Sequence, residues 1–318
     1  MLYPILFCIL GFIALIKGAD FLITGASSLA KKLRVSEIVI GLTVVAFGTS
    51  TPELVVSTFA SAQGNSDIVL GNIIGSNIFN ILLILGISGL IYPLNVLKNT
   101  VWREIPFALF AVIAMYFLAA DSTPGFQGSG IISAGDGIIM LSFFALFILY
   151  VFYISKISSH DNNPVKLYST PLTILMILGG LIGLFIGGKL VVDNSVIIAR
   201  LLGMSDKLIA LTIVAGGTSL PELVTSAVAA YKKRCEIAVG NIVGSGIFNI
   251  LLILGISSVI KPITFTEVFN TDMFVMAAAT LILFITMFTG KKHRLDRWEA
   301  AILLAGYIAY TIFLIGRK

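Results

Sequence analysis

Two nine-residue segments of this sequence place oxygen-bearing side chains beside a proline within apolar stretches. They read AFGTSTPEL at 46–54 and AGGTSLPEL at 215–223, and each contains one carboxylate, Glu53 or Glu222. The same turns carry four side-chain hydroxyls, those of Thr49, Ser50, Thr218 and Ser219. Carboxylate and hydroxyl oxygens suit hard cations such as calcium or sodium and suit soft transition metals poorly. The segments therefore predict a site for a hard cation.

The prolines of these segments predict a break in each helix. Pro52 and Pro221 have no amide hydrogen and push the preceding residue out of helical geometry, and neighbouring glycines loosen the same turn. A break at membrane depth leaves main-chain carbonyls without partners, which is tolerated only where they line a polar cavity. The carbonyls near Ala46 and Ala215 are therefore further candidate ligands.

A second pair of segments adds amides and hydroxyls. These read GNIIGSNIFNILLILGIS from Gly71 and GNIVGSGIFNILLILGIS from Gly240. Their polar residues recur every four positions, which places them on one face of a helix. The two sets are Asn72, Ser76 and Asn80, and Asn241, Ser245 and Asn249.

Each of these features also has an ordinary structural explanation. Glycines four apart often mark close helix packing, buried hydroxyls often bond to their own helix, and proline kinks are common in membrane helices. An intramembrane glutamate, however, costs at least a few kcal/mol and is functional by default. Glu53 and Glu222 in matching contexts favour a functional site.

The elements that must position these residues are transmembrane helices. The chain has 318 residues, of which 58% are hydrophobic and only 12% are charged, and its mean hydropathy is +1.04. Apolar windows of about 20 residues recur along its length, so the lipid bilayer is its expected surrounding. We predict an all-α integral membrane protein with ten spans, near 2–28, 37–62, 68–91, 103–120, 134–156, 171–199, 206–230, 236–260, 270–289 and 297–315.

An internal duplication organises the spans. Shifting the sequence by 169 residues places 41–93 over 210–262 without a gap, and 32 of these 53 positions are identical. We therefore predict two five-helix repeats, 1–157 and 171–318, joined by a cytoplasmic linker at 158–170. Because five is odd, the second repeat must cross the membrane in the opposite sense, which is typical of secondary transporters.

The distribution of charge predicts orientation and limits the partners. About fourteen Lys and Arg residues flank the loops after odd-numbered spans against about five on the other side, so both termini are expected outside the cytoplasm of a plasma or inner cell membrane. These basic residues are scattered at span ends, which disfavours nucleic-acid binding. No cofactor or obligate protein partner is predicted. Lys17 with Asp20, and Lys189 with Asp193, have the spacing of local helical ion pairs.

The paired GTSxPE and GNIxGSxIFNI segments resemble the two alpha-repeats of the calcium/cation antiporter superfamily, specifically its sodium/calcium exchanger branch. The resemblance extends over most of the chain. It implies exchange of sodium for calcium at overlapping oxygen sites, with spans 1 and 6 sliding to alternate access. The ligands it implies are Glu53, Glu222, Thr49, Ser50, Ser76, Asn80, Thr218, Ser219, Ser245 and Asn249, with the carbonyls of Ala46 and Ala215.

Several functions compete with this interpretation. Some relatives in that superfamily carry Asp where this chain has Asn249, and Asp there accompanies potassium-dependent exchange, so potassium independence is expected here. A proton/calcium antiporter is the main alternative, because a carboxyl group in an apolar site can bind protons. A channel would use the same oxygen-lined path. An intramembrane enzyme is disfavoured, because the sequence lacks a zinc motif or a nucleophile with a partner base.

Overall fold

The computed structural model describes residues 2–120, 130–157, 166–203 and 215–316, and these are predominantly helical. The helices are α1 (Leu2–Leu33), α2 (Glu37–Thr49), α3 (Thr51–Gln63), α4 (Ser66–Ile91), α5 (Ile105–Ala120), α6 (Ala134–Ile157), α7 (Thr170–Leu201), α8 (Ala215–Gly217), α9 (Leu220–Tyr231), α10 (Cys235–Ile260), α11 (Asn270–Thr286) and α12 (Arg297–Gly316). The strands are β1 (Leu94–Asn95), β2 (Gly130–Ile132), β3 (Ile263–Phe265) and β4 (Arg294–Leu295).

The prediction of a multi-span membrane protein is confirmed. Within the described ranges, eight helices are long and apolar enough to cross a membrane, and the bent pair α2–α3 makes a ninth. The remaining predicted span, 206–230, lies partly outside the described residues. Large apolar side chains on the outer helices are widely exposed, for example Phe152 on α6 and Ile312 on α12, because the bilayer rather than water is their solvent.

Helices α4 and α10, which carry the second pair of polar segments, form the centre of the molecule. In their apolar windows 61% and 78% of residues are buried, against 17–33% in the other six long helices. Glycines allow α10 to approach α2 closely, since a Cβ atom on Gly240 of α10 would lie 3.1 Å from Cα of Gly41 on α2. The central position of α4 and α10 places their polar faces inside protein rather than lipid.

Helices α1 and α7 pack as an antiparallel pair beside this centre. A Cβ atom on Gly11 would lie 2.9 Å from the carbonyl oxygen of Gly187, and one on Gly18 would lie 2.8 Å from that of Gly180. Residue numbers therefore rise along one helix as they fall along the other. Small residues let two membrane helices approach to main-chain contact, which is how such pairs are stabilised without a hydrophobic driving force.

Two short antiparallel ladders join the loops of the two halves. Strand β1 pairs with β4, and β2 pairs with β3. Four stretches of helix are π-helical: Gly41–Val45, Phe79–Ile84, Thr100–Glu104 and Phe248–Leu254. Such insertions are rare and are often found at functional sites.

The prediction of a local ion pair between Lys17 and Asp20 is wrong. The carboxylate of Asp20 on α1 instead pairs with Lys232, which follows α9, at 2.5 Å. Lys232 also donates to the hydroxyl of Thr24 at 2.9 Å and to the carbonyl of Asp20 at 3.2 Å. Three bonds from one ammonium group outweigh a single contact along the helix, so the pair joins α1 to α9.

Candidate cation site

The predicted helix breaks lie at the two proline segments. Helix α2 ends at Thr49 and α3 begins at Thr51, with a bend of 48° between them. Pro52 occupies the first turn of α3, where its missing amide hydrogen costs nothing. In the second half α8 ends at Gly217, and α9 begins at Leu220 with Pro221 in its first turn.

The expectation that the break leaves the carbonyl of Ala46 without a partner is wrong. The main-chain N–H of Ser50 donates to it at 3.0 Å, so the helical pattern continues almost to the bend. A carbonyl oxygen has a second lone pair, so Ala46 can still ligate a cation. For Ala215 the structure describes only the main chain, at the start of α8.

The two carboxylates are held by hydroxyls of the opposite half. Ser50 donates to Oε1 of Glu222 at 3.1 Å, and Ser219 donates to Oε1 of Glu53 at 3.0 Å. Ser219 also lies 3.2 Å from the hydroxyl of Ser76. The two serine–glutamate bonds are related by the 169-residue shift, and all five side chains are almost completely buried. These hydrogen bonds form two groups, Ser50 with Glu222, and Ser76 and Ser219 with Glu53. Ser50 and Glu53 lie in one helix break, and Ser219 and Glu222 lie in the equivalent break, so the two groups adjoin in one cluster.

The other candidate side chains lie on the same central helices. Asn80 falls in the π-helical turn of α4, and its neighbour Phe79 contacts Gly216 of α8. In the second half, the ring of Phe248 lies 5.8 Å from that of Phe47 on α2. The next residue after Phe248 is Asn249, so each asparagine lies on a helix that packs against the break of the other half.

Several oxygens of this set have no hydrogen-bond partner among the described residues although they are buried. They are Oε2 of Glu53, Oε2 of Glu222, Oδ1 of Asn80, Oγ of Ser245 and Oδ1 of Asn249. Burying an oxygen without a partner costs on the order of 1–3 kcal/mol, so each is expected to have a ligand in the functional state. The two carboxylates are also close enough to repel each other. A bound cation would satisfy these oxygens and remove the repulsion.

The last two candidates, Thr49 and Thr218, bond to residues absent from the predicted site. Thr49 donates to Oδ1 of Asn241 at 3.0 Å, and Thr218 donates to Oδ1 of Asn72 at 3.4 Å. Sequence reasoning placed both asparagines on the polar helical face without giving them a role. Their duplicated positions within apolar spans were the signal that could have identified them.

The arrangement can bind a hard cation and can do little other chemistry. Its groups are carboxylates, amides and hydroxyls, and the described residues hold no cluster of three or more His, Cys, Asp or Glu side chains that could bind a metal. Calcium takes six to eight oxygen ligands, of which only some need carry charge. A site of two carboxylates and several neutral oxygens is of this type.

Comparison with known proteins extends over nearly the whole chain. The family model described as sodium/calcium exchanger protein matches residues 3–153 and 172–316. The chain is 38% identical over 325 residues to the putative antiporter CaxA of Alkalimonas amylolytica, with 99% of each chain covered. It is 34% identical over 345 residues to the sodium/calcium exchanger MaX1 of Methanosarcina acetivorans, with 97% of each covered.

The same similarity extends to a solved structure. The sodium–calcium exchanger NCX_Mj, in crystals soaked without sodium or calcium, superposes with a TM-score of 0.80 and 36% identity, and the match covers 98% of both chains.

Proposed function

This chain belongs to the sodium/calcium exchanger protein family, a family of membrane transporters and not of enzymes, and we propose that it exchanges sodium for calcium by alternating access. The candidate cation site is where the two ions compete. One observation carries the proposal: two buried carboxylates of opposite halves, Glu53 and Glu222, each accept a hydrogen bond from a serine of the other half. Each also keeps one buried oxygen that has no hydrogen-bond partner among the described residues.

The charge of the site explains why exchange can be obligatory. Two carboxylates neutralise one calcium ion or two sodium ions, and a third sodium would leave a net positive charge. An empty pair of carboxylates is costly to enclose in a low dielectric, so the site closes only when it is filled. Because both ions use the same oxygens, occupancy by one excludes the other, and no direct contact between them is needed.

Alternating access is attributed to the pair α1 and α7, which correspond to spans 1 and 6. Their contact is formed by glycines and is antiparallel, as expected if four spans lie between them. The hydrogen bonds that repeat after 169 residues support two inverted repeats of five spans each, 1–157 and 171–318, with 206–230 as the tenth span. Exchange then proceeds as α1 and α7 slide together past a central site that hardly moves.

Potassium independence rests on the two amides at the site. Asn80 and Asn249 occupy equivalent positions of the two halves and add no charge to the two carboxylates. A further monovalent ion would therefore have no charge to balance it.

The proposed location is a plasma or inner cell membrane, with both termini outside the cytoplasm. The basic residues support it. Lys31 and Lys32 lie in the last turn of α1, and Lys232, Lys233 and Arg234 follow α9, so both groups flank loops that follow odd-numbered spans.

The proposal is tested by calcium uptake into sodium-loaded proteoliposomes diluted into sodium-free buffer. Parallel vesicles carry only a potassium gradient or only a proton gradient. The expected result is uptake that requires internal sodium and ignores the other two gradients. Uptake driven by protons alone would make the chain a proton/calcium antiporter, and uptake independent of every gradient would make it a channel.

A further inference from the structure

Asn72 of α4 and Asn241 of α10 accept hydrogen bonds from two candidate ligands, Thr218 and Thr49, each of the opposite half. Asn241 is completely buried and accepts a hydrogen bond from Thr49 of the opposite half at 3.0 Å. Its amide nitrogen lies 3.0 Å from the hydroxyl of Ser226 and 3.5 Å from the carbonyl oxygen of Glu222. Asn241 thus contacts residues of both halves.

The first half contains the same arrangement. The amide of Asn72 donates to Ser57 at 2.9 Å and to the carbonyl oxygen of Glu53 at 3.3 Å, and its oxygen accepts from Thr218 at 3.4 Å. Three bonds made at both equivalent positions are unlike the accidental contacts of single polar residues in a membrane helix.

The neighbours fix which way each amide faces. The carbonyl oxygen of Glu222 can only accept a hydrogen bond, so Asn241 must turn its NH₂ group towards it. The amide oxygen then faces Thr49, and it too can only accept. The hydroxyl of Thr49 can therefore donate its proton to Asn241, 3.0 Å away.

The direction of that proton matters for cation binding. A hydroxyl binds a cation through its lone pairs, so its hydrogen must point away from the ion. Helical threonines usually donate to their own helix, and the carbonyl of Val45 lies 3.1 Å from Thr49. The amide of Asn241 competes with that bond and pulls the proton towards the opposite half.

We propose that Asn72 and Asn241 are positioning residues for cation binding, which orient the hydroxyls of Thr218 and Thr49 so that their lone pairs face the transported ion. The inference rests on the proposed function. The amides do not touch the ion. A serine and a glutamate carbonyl of the same half fix the orientation of each amide, and the amide in turn orients the hydroxyl of a threonine in the other half. Groups that orient metal ligands in this way typically change affinity by about 10- to 100-fold when removed.

The test measures calcium affinity of purified protein by isothermal titration for Asn241→Ala, Thr49→Val and the double variant. Asn241→Ala is expected to raise the calcium dissociation constant by about 10- to 100-fold. Because Asn241 acts through Thr49, the double variant should bind no more weakly than Thr49→Val alone. Equal affinities of Asn241→Ala and wild type, or additive losses in the double variant, would overturn the proposal.

A matched control separates positioning from general stability. Asn77 is another buried amide of α4, but it donates to Ile73 of its own helix at 2.7 Å. Asn77→Ala should lower the unfolding temperature and leave calcium affinity unchanged. If Asn241→Ala does not fold, Ser226→Ala keeps the amide while removing its anchor, and a severalfold loss of affinity is expected. Unchanged affinity in Ser226→Ala would contradict the proposal.

The calcium affinity of Glu222→Gln distinguishes a failure of the positioning role from a failure of the proposed function. If Glu222→Gln binds calcium as wild type does, the proposed site is wrong. If Glu222→Gln loses calcium but Asn241→Ala does not, the site stands and only the positioning role fails.

Discussion

Replacing Glu222 by glutamine removes one charge from the candidate site and changes almost no volume. The glutamine oxygen can still accept the proton of Ser50, so the local structure should persist. At an effective dielectric constant of about 20, unit charges ~4 Å apart interact by about 4 kcal/mol, so a carboxylate and a divalent cation interact by about 8 kcal/mol. If easier desolvation offsets about half, about 4 kcal/mol remains, or a roughly thousand-fold weaker calcium affinity.

The same estimate gives a smaller loss for sodium. A monovalent ion loses half as much, about 2 kcal/mol, or roughly 30-fold per ion. The variant should also unfold at a higher temperature than wild type when neither ion is present, because a neutral amide replaces a buried carboxylate. Isothermal titration with calcium and with sodium, together with thermal unfolding, measures all three quantities.

Glu104→Gln is the matched control for Glu222→Gln. Glu104 is an equally buried carboxylate near the start of α5, bonded to the hydroxyl of Tyr150, and it lies outside the cluster of candidate ligands. Its replacement should leave both ion affinities unchanged. Equal loss of calcium affinity in both variants, or wild-type affinity in Glu222→Gln, would contradict the assignment of Glu222 to the cation site.

Three further predictions concern the elements around the site. Lys232→Gln should shift the balance of inward- and outward-open states by roughly two- to fivefold, since an ion pair this exposed contributes only about 0.5–1 kcal/mol; an unchanged ratio of calcium affinities at the two membrane faces would contradict it. Tyr150→Phe leaves Glu104 without this donor and should cost about 1–2 kcal/mol in thermal unfolding, with exchange retained. Gly180→Val should lower the unfolding temperature and impair exchange, because its Cβ would meet main-chain atoms of α1 at 2.6 and 2.7 Å, whereas Gly179→Val, which meets nothing within 4 Å, should do neither.

Local sequence signals predicted the spans and the first helix break well. The last span was expected at 297–315 and is Arg297–Gly316, and the break expected at Pro52 lies between Thr49 and Thr51. Hydropathy and proline chemistry act within a few residues, so a sequence shows them directly. The 169-residue duplication likewise identified the equivalent positions of the two halves.

What the sequence did not predict depends on contacts between distant residues. Lys232 and Asp20 are 212 positions apart, and local spacing favoured Lys17 as the partner instead. The bond from Thr49 to Asn241 also crosses between halves, so neither residue alone indicates it. The π-helical turns that carry Asn80 and Asn249 fall on the segment FNILLI in both halves, but the spacing of polar residues predicted only an ordinary helical face there.

Competition between sodium and calcium for one site is the central claim, and equilibrium binding of radioactive calcium to the purified protein tests it most directly. Calcium is held at a fixed subsaturating concentration while sodium is raised, and potassium replaces sodium in a parallel series. We expect one calcium ion per chain, displaced completely by sodium and unaffected by potassium. Calcium that stays bound at saturating sodium, or that potassium displaces equally well, would contradict the account.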